Sequence, residues 1–133
     1  MTNRLDHFMY AAPDLDASIA RFAEMSGVTA GRGGSHPGMG TRNALASLGG
    51  DVYLELIAPD PAQKLDGTYG GKFAALAGPQ VFAYIVKGDN LEALKATFAK
   101  HGIESDLFEA SRKTPEGGTL QWRLLIPRTN PLG

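Results

Sequence analysis

The 133-residue chain contains no cysteine, which removes disulfides, thiolate metal ligands and cysteine nucleophiles together. No apolar run approaches the roughly 20 residues needed to cross a bilayer, and the opening MTNRLDHF lacks the apolar centre of a secretory signal. A surplus of one charge is missing too: 13 Lys and Arg stand against 14 Asp and Glu, so there is no electrostatic footprint for nucleic acid or a membrane surface. These absences predict a cytoplasmic protein with a small-molecule ligand, no nucleic acid and no membrane partner. With 43% hydrophobic residues, residues 1–133 suffice for a single domain that buries a core.

What is present is a pattern that occurs twice. Leu5 to Ala12 alternates as a strand, with Leu5, His7, Met9 and Ala11 on one face. Pro13 ends it, Asp14 stands where a helix cap belongs, and Leu15, Ile19, Phe22 and Ala23 form an apolar stripe that Gly27 stops. In the second half Val81 to Lys87 predicts a strand. Asp89 and Glu92 then have the spacing of a capping box, Leu91, Leu94 and Phe98 form a stripe, and Gly102 ends it. Leu91 follows Leu15 by 76 positions, and the seven-residue step from Leu15 to Phe22 recurs from Leu91 to Phe98. The repeat predicts a first module over 1–58, a linker over 59–79 with a helical turn around Lys72 to Leu76, and a second module over 80–133.

The remaining strands complete an α+β plan. A short strand is expected at Val28 to Arg32, and Asn43 to Leu48 and Val52 to Ala58 flank Gly49-Gly50-Asp51 as an antiparallel pair. Ile103 to Glu109 and Thr119 to Ile126 flank Pro115-Glu116-Gly117-Gly118. The first half then has four strands and the second three.

Between Gly31 and Asn43 five glycines accompany His36, Arg42 and Asn43, which reads as a loop. Backbone amides there, with Arg42 as a bidentate clamp, suit an anionic ligand; the alternative is a glycine-rich connection with solvated charges. No lysine followed by serine or threonine succeeds the glycines, so it is not a nucleotide-binding P-loop. Trp122 is expected to pack. Tyr10, Tyr53, Phe82 and Tyr84 offer either the walls of a ligand cleft or ordinary strand packing.

Arg4-Leu5-Asp6-His7, Asp14-Leu15 and Tyr53-Leu54-Glu55-Leu56 together resemble the vicinal oxygen chelate superfamily. The stretch from His36 to Leu45 is similar to its glyoxalase-like branch, which is related to glyoxalase, bleomycin-resistance and extradiol dioxygenase proteins. The resemblance implies two βαβββ modules forming curved mixed sheets, helices outside and a ligand cleft within. It also implies His7 and Glu55 as first-module ligands of a divalent metal such as Zn, Fe, Mn or Ni, a donor pair whose chemistry suits such ions. Gln80-Val81-Phe82-Ala83 stands where a second histidine is expected, and the closing strand of the second module is missing, so the chain reads as a shortened member.

Two functions therefore stay open. One is a metal-dependent lyase, isomerase or dioxygenase of the glyoxalase type, acting on a small oxygenated metabolite with His7 and Glu55 as catalytic and metal-binding residues. The other is a metal-free binding or resistance-type sequestering protein, in which His7 and Glu55 form a polar pair and Glu55 can serve as a general base. In both, His36, Arg42, Asn43 and Tyr53 are the candidate substrate-binding residues. An incomplete second sheet leaves an unpaired edge, which predicts a homodimer.

Overall fold

The computed structural model describes residues 2–129; Met1 and residues 130–133, the end of the expected second module, lie outside the described residues. Among the described residues the order is β1 (Asn3–Ala11), α1 (Leu15–Ser26), β2 (Gly31–His36), β3 (Thr41–Gly49), β4 (Val52–Pro59), α2 (Tyr69–Ala74), β5 (Gln80–Gly88), α3 (Leu91–Lys100), β6 (Ser105–Lys113) and β7 (Thr119–Pro127). Strands β2-β3-β4-β1-β5 form one sheet and β6-β7 another, giving a mixed α+β fold with curved sheets. β1 runs parallel to β4 and antiparallel to β5.

Helix α1 begins where its cap allows. The Asp14 carboxylate accepts from the Ala17 N–H at 2.8 Å, and Gly27 closes the helix at φ 75° with its N–H on the Ala23 carbonyl. Leu15 is buried among Ala30, Ala44, Ala46, Leu56 and Ala58, with Ile19 and Phe22 packed against them. The alanines of β3 and β4 leave room for the helix to lie close on the sheet, and burial of its apolar stripe holds it there. On the opposite face α2 closes a second cluster of Ala11, Ile57 and Phe73 with Tyr69 and Phe82. The Phe73 and Phe82 rings meet edge to face at 5.0 Å. This helix starts earlier than the turn expected from Lys72, because the Thr68 hydroxyl caps it by accepting from the Gly71 N–H.

Two local expectations are corrected. Asn90, not Asp89, caps α3: its side-chain oxygen accepts from the Ala93 N–H at 2.9 Å, while Asp89 accepts from the backbone N–H and hydroxyl of Thr2. Asn90 follows Asp14 by the same 76 positions that separate the leucines, so the repeat marked the cap and the capping-box spacing fell one residue early.

The Gly31 to Asn43 segment is not a loop. It folds as the β2–β3 hairpin, so the short strand expected at Val28 to Arg32 lies instead at Gly31–His36. The register runs Arg32 to Ala44 and then Ser35 to Arg42, so Gly33 and Gly34 together oppose Asn43 as a β-bulge. Both positions need glycine. A Cβ on Gly33 would overlap the Asn43 side chain, and one on Gly34 would overlap the Lys113 carbonyl of β6. The bulge thus makes room for an asparagine and is also a point where β2 of the first sheet meets β6 of the second.

Candidate acid–base site

Strand register decides which side chains can meet. His7 pairs with Tyr53, and Glu55 with Met9 on one side and Leu45 on the other, so these residues share the sheet face turned away from α1. Asn43 lies two residues before Leu45 and joins them; His36 arrives on β2 opposite Thr41. The structure therefore brings His7, His36, Asn43, Tyr53 and Glu55 together.

Glu55, only 6% exposed, is the centre. Its Oε2 lies 3.3 Å from His7 Nε2, its Oε1 accepts from Asn43 Nδ2 at 2.8 Å, and His36 Nε2 stands 3.6 Å from Oε1. The Asn43 amide also approaches His36 Nε2 at 3.3 Å, while its oxygen accepts from the Gly34 N–H at 3.1 Å. The backbone of the bulge thus fixes which end of the amide faces Glu55. His36 Nδ1 reaches the Thr41 hydroxyl at 2.8 Å, so with its other nitrogen facing the amide N–H the ring is oriented as a neutral donor–acceptor.

The two histidines are tuned in opposite directions. Burial works against a proton on His7, yet hydrogen bonds to Glu55 and to Asp6, 2.9 Å from Nδ1, outweigh it and raise its pKa. Burial likewise opposes charge on Glu55, but the bonds from His7 and Asn43 hold its pKa low. The same contacts favour a proton on His7 and a negative charge on Glu55. Burial dominates at His36 and lowers its pKa, Glu55 pulling the other way and the Arg112 charge adding to the depression. Tyr53 stacks on His7 with ring centroids 4.5 Å apart. Burial and the negative charges of Asp6 and Glu55 push its phenol well above the ordinary range, so it remains a neutral donor.

Asp6 enters this cluster through an irregularity that alternation does not reveal. Leu5 pairs with Val86 and His7 with Ile85, so β1 carries one extra residue at Asp6. The bulge lets two consecutive side chains act on the same face. Arg42 is placed otherwise. It alternates to the α1 side of β3, where its Nε is buried without a hydrogen-bond partner and its charge acts on Asp60 and Asp16. The structure does not bring Arg42 to the Glu55 cluster. Instead the second sheet supplies Trp122, edge to face with His36 at 6.3 Å, and Arg112.

His7 Nε2 and Glu55 Oε2 are the pair of metal donors that the superfamily resemblance implies. His36 approaches the other carboxylate oxygen, which Asn43 already engages. His7 and His36 lie on different oxygens of Glu55, and among the described residues no group of three His, Asp or Glu side chains is arranged to hold a metal ion. The residues present thus do not fit a tight divalent site. Two surface clefts of about 520 Å³ lie away from the cluster, one beside Lys95 and Arg128 and one beside Tyr10 and Arg21. No helix among the described residues is long and apolar enough to cross a membrane.

Comparison with known proteins bears on the fold. The family described as glyoxalase-like domain matches residues 5–133. A search of curated protein sequences gives no match. Among solved structures, methylmalonyl-CoA epimerase from Mycobacterium tuberculosis is 23% identical with a TM-score of 0.62, over 91% of this chain and 78% of that one. The Streptomyces coelicolor epimerase in complex with 2-nitronate-propionyl-CoA is 24% identical with the same score, over 91% and 86%. A hypothetical protein from Bacillus halodurans is 15% identical with a score of 0.66, over 92% and 94%.

Proposed function

Because the chain belongs to the glyoxalase-like domain family of the vicinal oxygen chelate superfamily, we propose that it binds and converts a small oxygenated metabolite at the Glu55 cluster by proton transfer. The observation that carries this reading is a buried carboxylate flanked by two imidazoles of opposite tuning. Glu55 Oε2 would take a proton from a C–H or O–H made acidic by an adjacent carbonyl, and the His7 imidazolium would balance the charge that develops on the carbonyl oxygen. Asn43 and Asp6 hold the two partners in place; Tyr53 and His36 bound the ligand. The solved epimerases of this fold are described with acyl-CoA ligands, so acyl thioesters belong among the compounds to test.

Deuterium uptake in D2O, followed by NMR on 2-oxo acids, their amides and methylmalonyl-CoA, tests the reading. Wild type should exchange the C–H next to the carbonyl of at least one compound, and Glu55→Gln should slow that exchange by about 10²- to 10⁴-fold. Equal rates for wild type and Glu55→Gln would end it.

Homodimer formation is part of the proposal, because β5 ends its sheet with an unpaired edge among the described residues. A monomeric mass by light scattering would remove that part.

A further inference from the structure

Seven arginines are distributed along the chain, and five are neutralised locally: Arg4 by Asp51, Arg21 by Glu24, Arg32 by Asp16, Arg123 by Glu92, and Arg128 by Glu104 and Asp106. Arg42 is turned to the α1 side, where Asp60 feels its charge. Arg112 remains. It is half-buried on β6 and forms no ion pair among the described residues.

Its direction is fixed by two independent features. In the β6–β7 hairpin Ala110 pairs with Trp122 and Arg112 with Leu120, so Arg112 and Trp122 lie on one face. Trp122 meets His36 from that face. The Arg112 guanidinium also reaches the bulge: its Nη1 lies 3.3 Å from the point where a Cβ on Gly33 would stand, the same point that crowds the Asn43 side-chain oxygen. A half-buried guanidinium thus stands beside the amide that holds Glu55, with no hydrogen bond or ion pair from its donors among the described residues. Phe108 and Leu120 share the Arg112 face and stay 44% and 48% exposed, so an apolar wall borders it.

We propose that Arg112 receives the carboxylate of the metabolite, so that the natural ligand is an oxygenated carboxylic acid with its carboxylate on the second sheet and its reacting carbon over Glu55. The proposal rests on the acid–base reading of the cluster and narrows it to a substrate class. A guanidinium offers a carboxylate two parallel N–H bonds, and neither histidine does. The negative charge of Glu55 would repel such a ligand, so a fixed cation on the facing sheet is what makes an anion acceptable there. Glycine at position 33 is part of the device, since any side chain would occupy the space between Arg112 and Asn43.

Matched ligands test the assignment: 2-oxobutyrate and its amide, which differ in charge but hardly in shape, titrated by calorimetry against wild type, Arg112→Gln and Arg112→Lys. Wild type should prefer the acid roughly tenfold to hundredfold. Arg112→Gln should bring that ratio close to one, and Arg112→Lys should restore part of it because the charge returns without the fork. NMR titration of His36 gives a second readout, and its pKa should rise in Arg112→Gln when the neighbouring cation is lost. An acid preference that survives in Arg112→Gln overturns the assignment, as does a wild type that binds the amide as well as the acid or binds neither. Glu55→Gln separates the two readings, because it should slow proton exchange to the extent given above while keeping the preference for the acid.

Discussion

The two halves of this chain repeat the same signals and reach different degrees of packing. Helix α1 sinks Leu15 to 2% exposure beneath a sheet lined with alanine, whereas α3, with Leu91 in the equivalent place, has no buried residue. Among the described residues the buried apolar core lies between Ala11 and Phe73, while Val81, Tyr84, Phe108 and Leu120 of the second half stay exposed. Cap, stripe and stop are enough to form a helix; burying it requires a continuous layer. β3 and β4 give α1 that layer, and among the described residues α3 leans mainly on the two-stranded sheet of β6 and β7.

The largest test of this contrast replaces the paired leucines. Leu15→Ala should cost about 2–5 kcal/mol, and Leu91→Ala about 1 kcal/mol or less, by urea unfolding. Equal costs would show that α3 is as well packed as α1. A smaller effect is expected at the meeting point of the sheets. Gly34→Ala forces a methyl against the Lys113 carbonyl and should cost about 1–3 kcal/mol. Gly78→Ala, with nothing within 4 Å of the added carbon, should fall within about 0.5 kcal/mol of wild type. A silent Gly34→Ala would mean that the hairpin of β6 and β7 is not held against β2.

The smallest effect is a pH dependence that belongs to the first half. His7 has a raised pKa in the folded protein, so its contribution is complete below its ordinary value of 6.5 and is lost as pH rises through the folded value. Glu55 is depressed, so its contribution is present above about 4.5 and is lost as pH falls. His36, held neutral, works against stability below about 6.5. Glu55→Gln should therefore flatten the loss of stability as pH rises from about 6.5 through the folded His7 value. Urea midpoints with the same pH profile in both proteins would separate His7 from Glu55.

Much of this arrangement could be read from the residues. Alternation placed His7 on one strand face and Glu55 on another that could match it, and the structure has them 3.3 Å apart. His36 and Asn43 were legible as site candidates, although the glycines around them suggested a loop. Glycine is ambiguous in this way: it permits an irregular loop and equally a bulge that two strands need for close approach. Arg42 and Asn43 are neighbours in sequence and cannot both serve one face once the segment is a strand. Asp6 was hidden because its place depends on one extra residue relative to β5. Arg112 was hidden because nothing local says which strand of the second sheet faces the bulge. Alternation reports what one strand knows about itself; register and the meeting of sheets depend on partners far along the chain.

The Gly33-Gly34 bulge makes the site a matter of counting as well as of chemistry. β2 carries one residue more than β3 requires between Arg32 and Ser35. Removing either glycine would even the two strands while leaving every polar side chain of the cluster in the sequence. The backbone N–H that orients Asn43 would then be drawn into the regular ladder, and the gap that admits Arg112 would close. A scan that only exchanges residues one for another would never sample this weakness, and a one-residue deletion would find it at once.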